Sequence, residues 1–182
     1  MKISISTNLL LGYSIRFPSS IFLMASQSLP SFLLFINLLM YVVVAVIAGW
    51  ALNYGINETP QASSDLSIPA RLFPIYYPIG NLATGFFVIF ALIAGIVGVA
   101  SSLAGLQDVS SGKPAGLFSA AASSVIAWSL TLLAMGLACK EISIGWRCAS
   151  LRTLETFTII LSGTQLLCTG AIHAGAASSS DF

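Results

Sequence analysis

The chain has 182 residues, of which 57% are hydrophobic and 7% charged, whereas a soluble domain carries about a quarter charged residues. That inventory cannot clothe a water-soluble surface. Seven basic residues against six acidic ones leave a net charge of +1, which excludes both a basic face for nucleic acid and an acidic tail.

The length suits one membrane domain at 24–176, preceded by an extension at 1–23 and followed by a tail at 177–182. Residues 1–23 contain Lys2, Arg16, several serines and no acid, the composition of a targeting peptide, but the apolar stretch Leu9–Leu11 is short for a signal. Met24-Ala25-Ser26 reads as an alternative beginning, with the first membrane helix as its own signal anchor. Residues 1–23 are therefore expected to be disordered or absent from the mature protein.

A bilayer core needs about 20 apolar residues per helix. The first run, 32–53, is interrupted by Asn37 and ends near Trp50 and Tyr54, where an interfacial aromatic belt would sit. Loop one, 55–80, holds Pro60, Pro69, Pro74 and Pro78, which break a regular helix. Its Phe73, Tyr76 and Tyr77 suit the headgroup layer or a cap over helix ends. The second run is 81–106. After a short loop two (107–115) comes the third, 116–139, expected to stop at Lys140 and Glu141. Loop three (140–151) leads to the fourth, from beyond Arg152 to Ala176. Short loops join antiparallel neighbours. The predicted fold is an all-α integral membrane protein, a bundle of four antiparallel transmembrane helices.

Basic residues in short loops set orientation. Loops one and three hold Arg71, Lys140, Arg147 and Arg152. The opposite side has Lys113, with Lys2 and Arg16 added if the extension is present. This puts loops one and three in the cytosol. Asn57-Glu58-Thr59 is a glycosylation pattern that pulls the other way, but Pro60 and the nearby membrane weaken it, and Asn57 is expected to stay unmodified.

Helices associate in lipid through small residues and polar contacts. On the second helix Thr84, Ala91, Gly95, Gly98 and Ser102 share an arc of roughly 60°. On the third, Ala120, Ser123, Ala127, Thr131, Ala134 and Ala138 do the same. The fourth differs in kind: Glu155, Thr158, Ser162, Gln165, Thr169 and His173 form a polar stripe within roughly 80°. Polar side chains are costly against lipid, so the stripe should face the bundle interior or a watery path. Two readings stand. In one the stripe is interhelical glue, with Gln165 bonded to a neighbour such as Asn37. In the other it lines a path for a solute.

Glu155 and His173 lie about 27 Å apart along the helix and cannot act as an acid–base pair. Glu155 is expected to pair with Arg152, one turn earlier. One histidine, no phosphate loop, no HExxH and no nucleophile elbow argue against an enzyme. Cys139, Cys148 and Cys168 have no metal or disulfide spacing, so neither metal nor cofactor is expected. Cys139 and Cys148 are small apolar residues or palmitoylation sites.

The blocks "YVVVAVIAGWALN", "FPIYYPIGNLATGFFVIFALIAGIVGVASS", "IAWSLTLLAMGLACKEI" and "LRTLETFTIILSGTQLLCTGAIH", in this order and spacing, resemble the AWPM-like family of plant plasma-membrane proteins induced by abscisic acid. The resemblance runs from Leu29 to His173. It implies a multi-pass plasma-membrane protein made in seeds or under drought, salt and cold, and at least one member is regarded as an abscisic acid importer. Motif positions carried over are 71–80, Lys140, Glu141 and 152–155. Trp146 and Cys148 depart from a more Gly- and Arg-rich family pattern in loop three.

Two functions follow as expectations. One is uptake of abscisic acid or a similar small carboxylate along a path formed by Glu155, Ser162, Gln165 and Thr169, with Arg71, Lys140 and Arg152 as cationic groups near one membrane face. Four helices enclose a narrow path, so this reading calls for a homo-oligomer. The other is a non-transporting stress-induced membrane component or accessory subunit. The partners are the lipid bilayer and, under the first reading, the hormone.

Overall fold

The computed structural model describes residues 19–62, 67–69, 71–111, 113–146 and 148–179. They form four helices: α1 (Ser19–Ala62), α2 (Thr84–Ser111), α3 (Pro114–Ile144) and α4 (Ala149–Ser179). All four are long and apolar enough to cross a membrane, and there is no strand among the described residues. The expectation for residues 1–23 falls mainly on 1–18, outside the described residues. Arg147 lies outside them too.

The helices close into a ring in which α1 packs on α2 and α4, and α3 on α2 and α4. Residue numbers rise along one helix as they fall along the next. On α1 and α2, Leu34 meets Gly105, Tyr41 meets Gly98, and Ala45 meets Gly95. On α3 and α4, Ser124 meets Thr169 while Trp128 meets Ser162. Loops one and three therefore share one end of the bundle and loop two lies at the other.

Small residues set how closely the helices approach. Every member of the small-residue face on α2 is buried, as are those on α3 except the half-buried Ser123. At Gly98 an added Cβ would overlap the Tyr41 ring, so hydrogen alone permits this contact. Large apolar side chains point outward instead: Phe32, Val46, Ile96, Ile126 and Leu167 are each more than half exposed. Such a surface is adverse in water and suited to lipid.

Several boundaries differ from the sequence reading, for identifiable reasons. Helix α1 continues past Asn53 and through position 60. A proline near a helix end forfeits little beyond one hydrogen bond, where the ladder is already ending. The exit is reinforced by Thr59 Oγ1, which donates to the Gly55 carbonyl. Nor do Lys140 and Glu141 stop α3. Charge ends an apolar crossing without ending a helix: Lys140 is exposed while Glu141 is buried within the bundle. The stop is Gly145, whose φ of 89° is open to glycine and whose N–H donates to the Glu141 carbonyl at 3.2 Å. Helix α4 already begins at Ala149, ahead of Arg152, and loop two shrinks to 112–113. Pro114 at the start of α3 supplies the fixed φ that a first helical turn accepts.

Candidate polar core of the bundle

Two apolar clusters fill the bundle. One, toward loops one and three, contains Tyr41, Ala48, Phe87, Ala138, Leu154 and Leu161. The other, toward loop two, contains Leu34, Val109, Ala120, Cys168 and Ile172. A polar layer lies between them in sequence order on three helices. Asn37 follows Leu34 on α1, Ser124 follows Ala120 on α3, and Gln165 separates Leu161 from Cys168 on α4.

In this layer Asn37 Nδ2 donates to Gln165 Oε1 at 2.8 Å. Gln165 Nε2 donates to the Ser124 carbonyl at 3.4 Å, and Thr169 Oγ1 reaches the same carbonyl at 3.5 Å. One turn along α1, the Tyr41 hydroxyl and Thr131 Oγ1 lie 2.8 Å apart. Thr131 commits its own proton to the Ala127 carbonyl at 2.7 Å, so Tyr41 is the donor in that pair. These bonds tie α1, α3 and α4 together inside the bundle, where lipid offers no competing partner.

The polar stripe of α4 faces inward, as its spacing predicts. Glu155, Thr158, Ser162, Gln165 and Thr169 are all buried. The hydroxyls of Thr158 and Ser162 turn back to their own helix, bonding the carbonyls of Leu154 and Ile159 at 2.8 and 2.7 Å. The Ser162 carbonyl in turn accepts from Trp128 Nε1 at 3.2 Å. His173 departs from the rest of the stripe: it is exposed, with Nδ1 2.8 Å from the Thr169 carbonyl. The cationic candidates Arg71, Lys140 and Arg152 are all exposed and belong to the end of the bundle that carries loops one and three. Arg152 is thus exposed while Glu155 is buried.

A second polar cluster seals that same end. Asn81 caps α2, its Oδ1 accepting the Ala83 N–H at 3.0 Å, while its own N–H donates to Thr84 Oγ1 at 2.7 Å, a reciprocal capping arrangement. Thr84 Oγ1 donates to Glu141 Oε1 at 2.7 Å. Tyr77 is buried too, and its hydroxyl donates to the Ala51 carbonyl, about three turns before α1 ends. Burial pushes the Tyr77 phenol well above its usual range, with Cys148 and Glu141 adding in the same direction. Of the loop-one aromatics, Tyr77 thus folds back onto α1 at Ala51 and Gly55, whereas Phe73 stays exposed.

Glu141, expected as a helix stop and as a family motif position, is thus a buried partner of α2. Its signal was present, because at 100° per residue it continues the face of Ala127, Thr131, Ala134 and Ala138. Ser124 could not have been singled out, since its backbone carbonyl does the bonding.

The chain matches the AWPM-19-like family over residues 35–175. The chain belongs to that family. The match takes in most of α1 and α4 and all of α2 and α3, so the polar layer and the capped end both fall inside it. A family relative, "Membrane protein PM19L" of rice (Oryza sativa subsp. japonica), is 46% identical over 147 residues, covering 79% of this chain and 76% of the relative. No solved structure matches. Family membership and the four apolar helices make this a multi-pass membrane protein.

Proposed function

We propose that this family member resides in the plasma membrane and mediates uptake of abscisic acid or a similar small carboxylic acid. The observation that carries the reading is the buried polar column on α4, from Glu155 to Thr169. Side chains of this kind are expensive at membrane depth and mark solute pathways. The exposed Arg71, Lys140 and Arg152 would favour the anion at the mouth of the route that carries loops one and three. A homo-oligomer would widen the route.

One observation favours a second reading, a non-transporting membrane component. The Gln165 amide is used by Asn37 and Ser124, as interhelical glue requires.

Uptake of labelled abscisic acid by proteoliposomes of the purified chain separates the two. Uptake above that of empty liposomes, reduced by Gln165→Leu in a protein that still folds, supports transport. Lys140→Ala or Arg152→Ala should weaken it as well. Unchanged uptake in a well-folded Gln165→Leu protein removes Gln165 from the route, and no uptake by the wild type leaves the second reading.

A further inference from the structure

The hydrogen bonds of the polar layer fix the orientation of both amides. A backbone carbonyl only accepts, so Gln165 must turn Nε2 toward Ser124, at 3.4 Å. This leaves Gln165 Oε1 toward Asn37, which must therefore present Nδ2, at 2.8 Å. The remaining Asn37 atom, Oδ1, is fully buried and has no hydrogen-bond partner. Nearby hydroxyl protons are committed elsewhere: that of Tyr41 to Thr131, that of Thr131 to the Ala127 carbonyl, and that of Thr169 to the Ser124 carbonyl. A buried acceptor left over in an otherwise bonded layer calls for a donor from outside the chain.

We propose that Asn37 is a binding site for a carboxylic acid in its undissociated form. The acid O–H donates to Oδ1 and the acid carbonyl accepts the second N–H of Nδ2, a cyclic two-bond pair that leaves the bond to Gln165 in place. A carboxylate fits poorly. It offers only acceptors, so Oδ1 stays unsatisfied, and it brings an uncompensated charge into the buried layer.

Among the described residues, the groups packed on the layer supply no compensating cation. Around Asn37, α1 contributes Tyr41, α2 brings Gly98 against Tyr41, α3 contributes Ser124 and Thr131, and α4 contributes Gln165, Cys168 and Thr169. Glu155 lies about 15 Å along α4 from Gln165, and His173 is exposed toward the other end. Arg71, Lys113, Lys140 and Arg152 are all exposed and lie at the ends of the bundle. The inference rests on the uptake reading for the identity of the acid and narrows that reading to its neutral form.

The test is binding of labelled abscisic acid to the full chain in nanodiscs, counted above empty nanodiscs of the same lipid, from below to well above the pKa of the acid. The apparent Kd, in total acid, should rise about tenfold per pH unit above that pKa. The methyl ester, which keeps the carbonyl but lacks the O–H, should bind at least tenfold more weakly, and Asn37→Leu should lose acid binding. The ester comparison needs no variant and so stands even if Asn37→Leu fails to fold. A Kd flat across the pKa, or an ester that binds as tightly as the acid, overturns the inference while leaving protein-dependent uptake intact. Acid binding with the expected slope, but no uptake in proteoliposomes, overturns the uptake reading and leaves the site.

Discussion

Asn81 holds the last turn of α3 through the backbone of Glu141, its Nδ2 donating to the Glu141 carbonyl at 3.2 Å and to the Gly145 carbonyl at 3.0 Å. The same side chain accepts the Ala83 N–H through Oδ1. One amide therefore caps the start of one helix and the end of another. The Glu141 carboxylate completes the junction by accepting from Thr84.

Replacing this amide should loosen both helix ends at once. Asn81→Ala removes an N-cap and takes a donor from the Glu141 carbonyl, which keeps the Gly145 N–H, and from the Gly145 carbonyl just past α3, a loss of about 2 kcal/mol. Thermal unfolding in detergent should report it, and amide hydrogen exchange should rise at 141–145 and 83–85 together. Faster exchange at only one of the two ends would disprove the shared cap.

Close packing of α1 on α2 predicts a contrast between two glycines. Gly98→Ala drives a methyl group into the Tyr41 ring and should destabilise by about 1–3 kcal/mol. Gly163→Ala meets nothing within 4 Å and should be neutral or gain up to about 1 kcal/mol from helix propensity. Equal unfolding temperatures for the two variants would contradict the contact.

The Asn37–Gln165 bond predicts a non-additive pair. Interhelical hydrogen bonds in membranes average about 0.6 kcal/mol, so Gln165→Leu should leave the fold intact, with a further penalty of about 1 kcal/mol or more for the orphaned Asn37 amide. Asn37→Leu/Gln165→Leu removes both partners and should recover part of the stability lost by Gln165→Leu. A double variant as unstable as the sum of the singles would show that the two side chains do not interact.

The Asn57 acceptor pattern should remain unglycosylated on either side of the membrane. It lies within α1, and Thr59 is 5% exposed with its hydroxyl bonded to Gly55. A glycosidase-sensitive mobility shift that is lost in Asn57→Gln would overturn this. Orientation needs a different probe: in a cysteine-free background, Arg71→Cys and Lys113→Cys place thiols at exposed positions on opposite ends. With loops one and three in the cytosol, an impermeant maleimide added outside cells should label position 113 and spare 71.

Hydrophobic runs made the helix number and approximate positions legible, because each crossing must satisfy its backbone internally over a fixed thickness. The inward direction of the α4 stripe was equally legible, since a helical repeat puts Glu155, Ser162 and Gln165 on one face regardless of what they meet. The ends were not. Lys140 and Glu141 read as a stop because composition reports where lipid ends, whereas the turn is made by Gly145, and whether Glu141 is solvated or buried depends on Thr84 standing opposite.

The sequence by itself determined a four-helix membrane protein with a polar seam, because lipid solvation acts on each segment separately. The tertiary structure alone decided what fills that seam. The partners of Gln165 come from α1 and α3, one of them a backbone carbonyl that no side-chain pattern encodes. Which Asn37 atom is left over follows only when all three helices are in place.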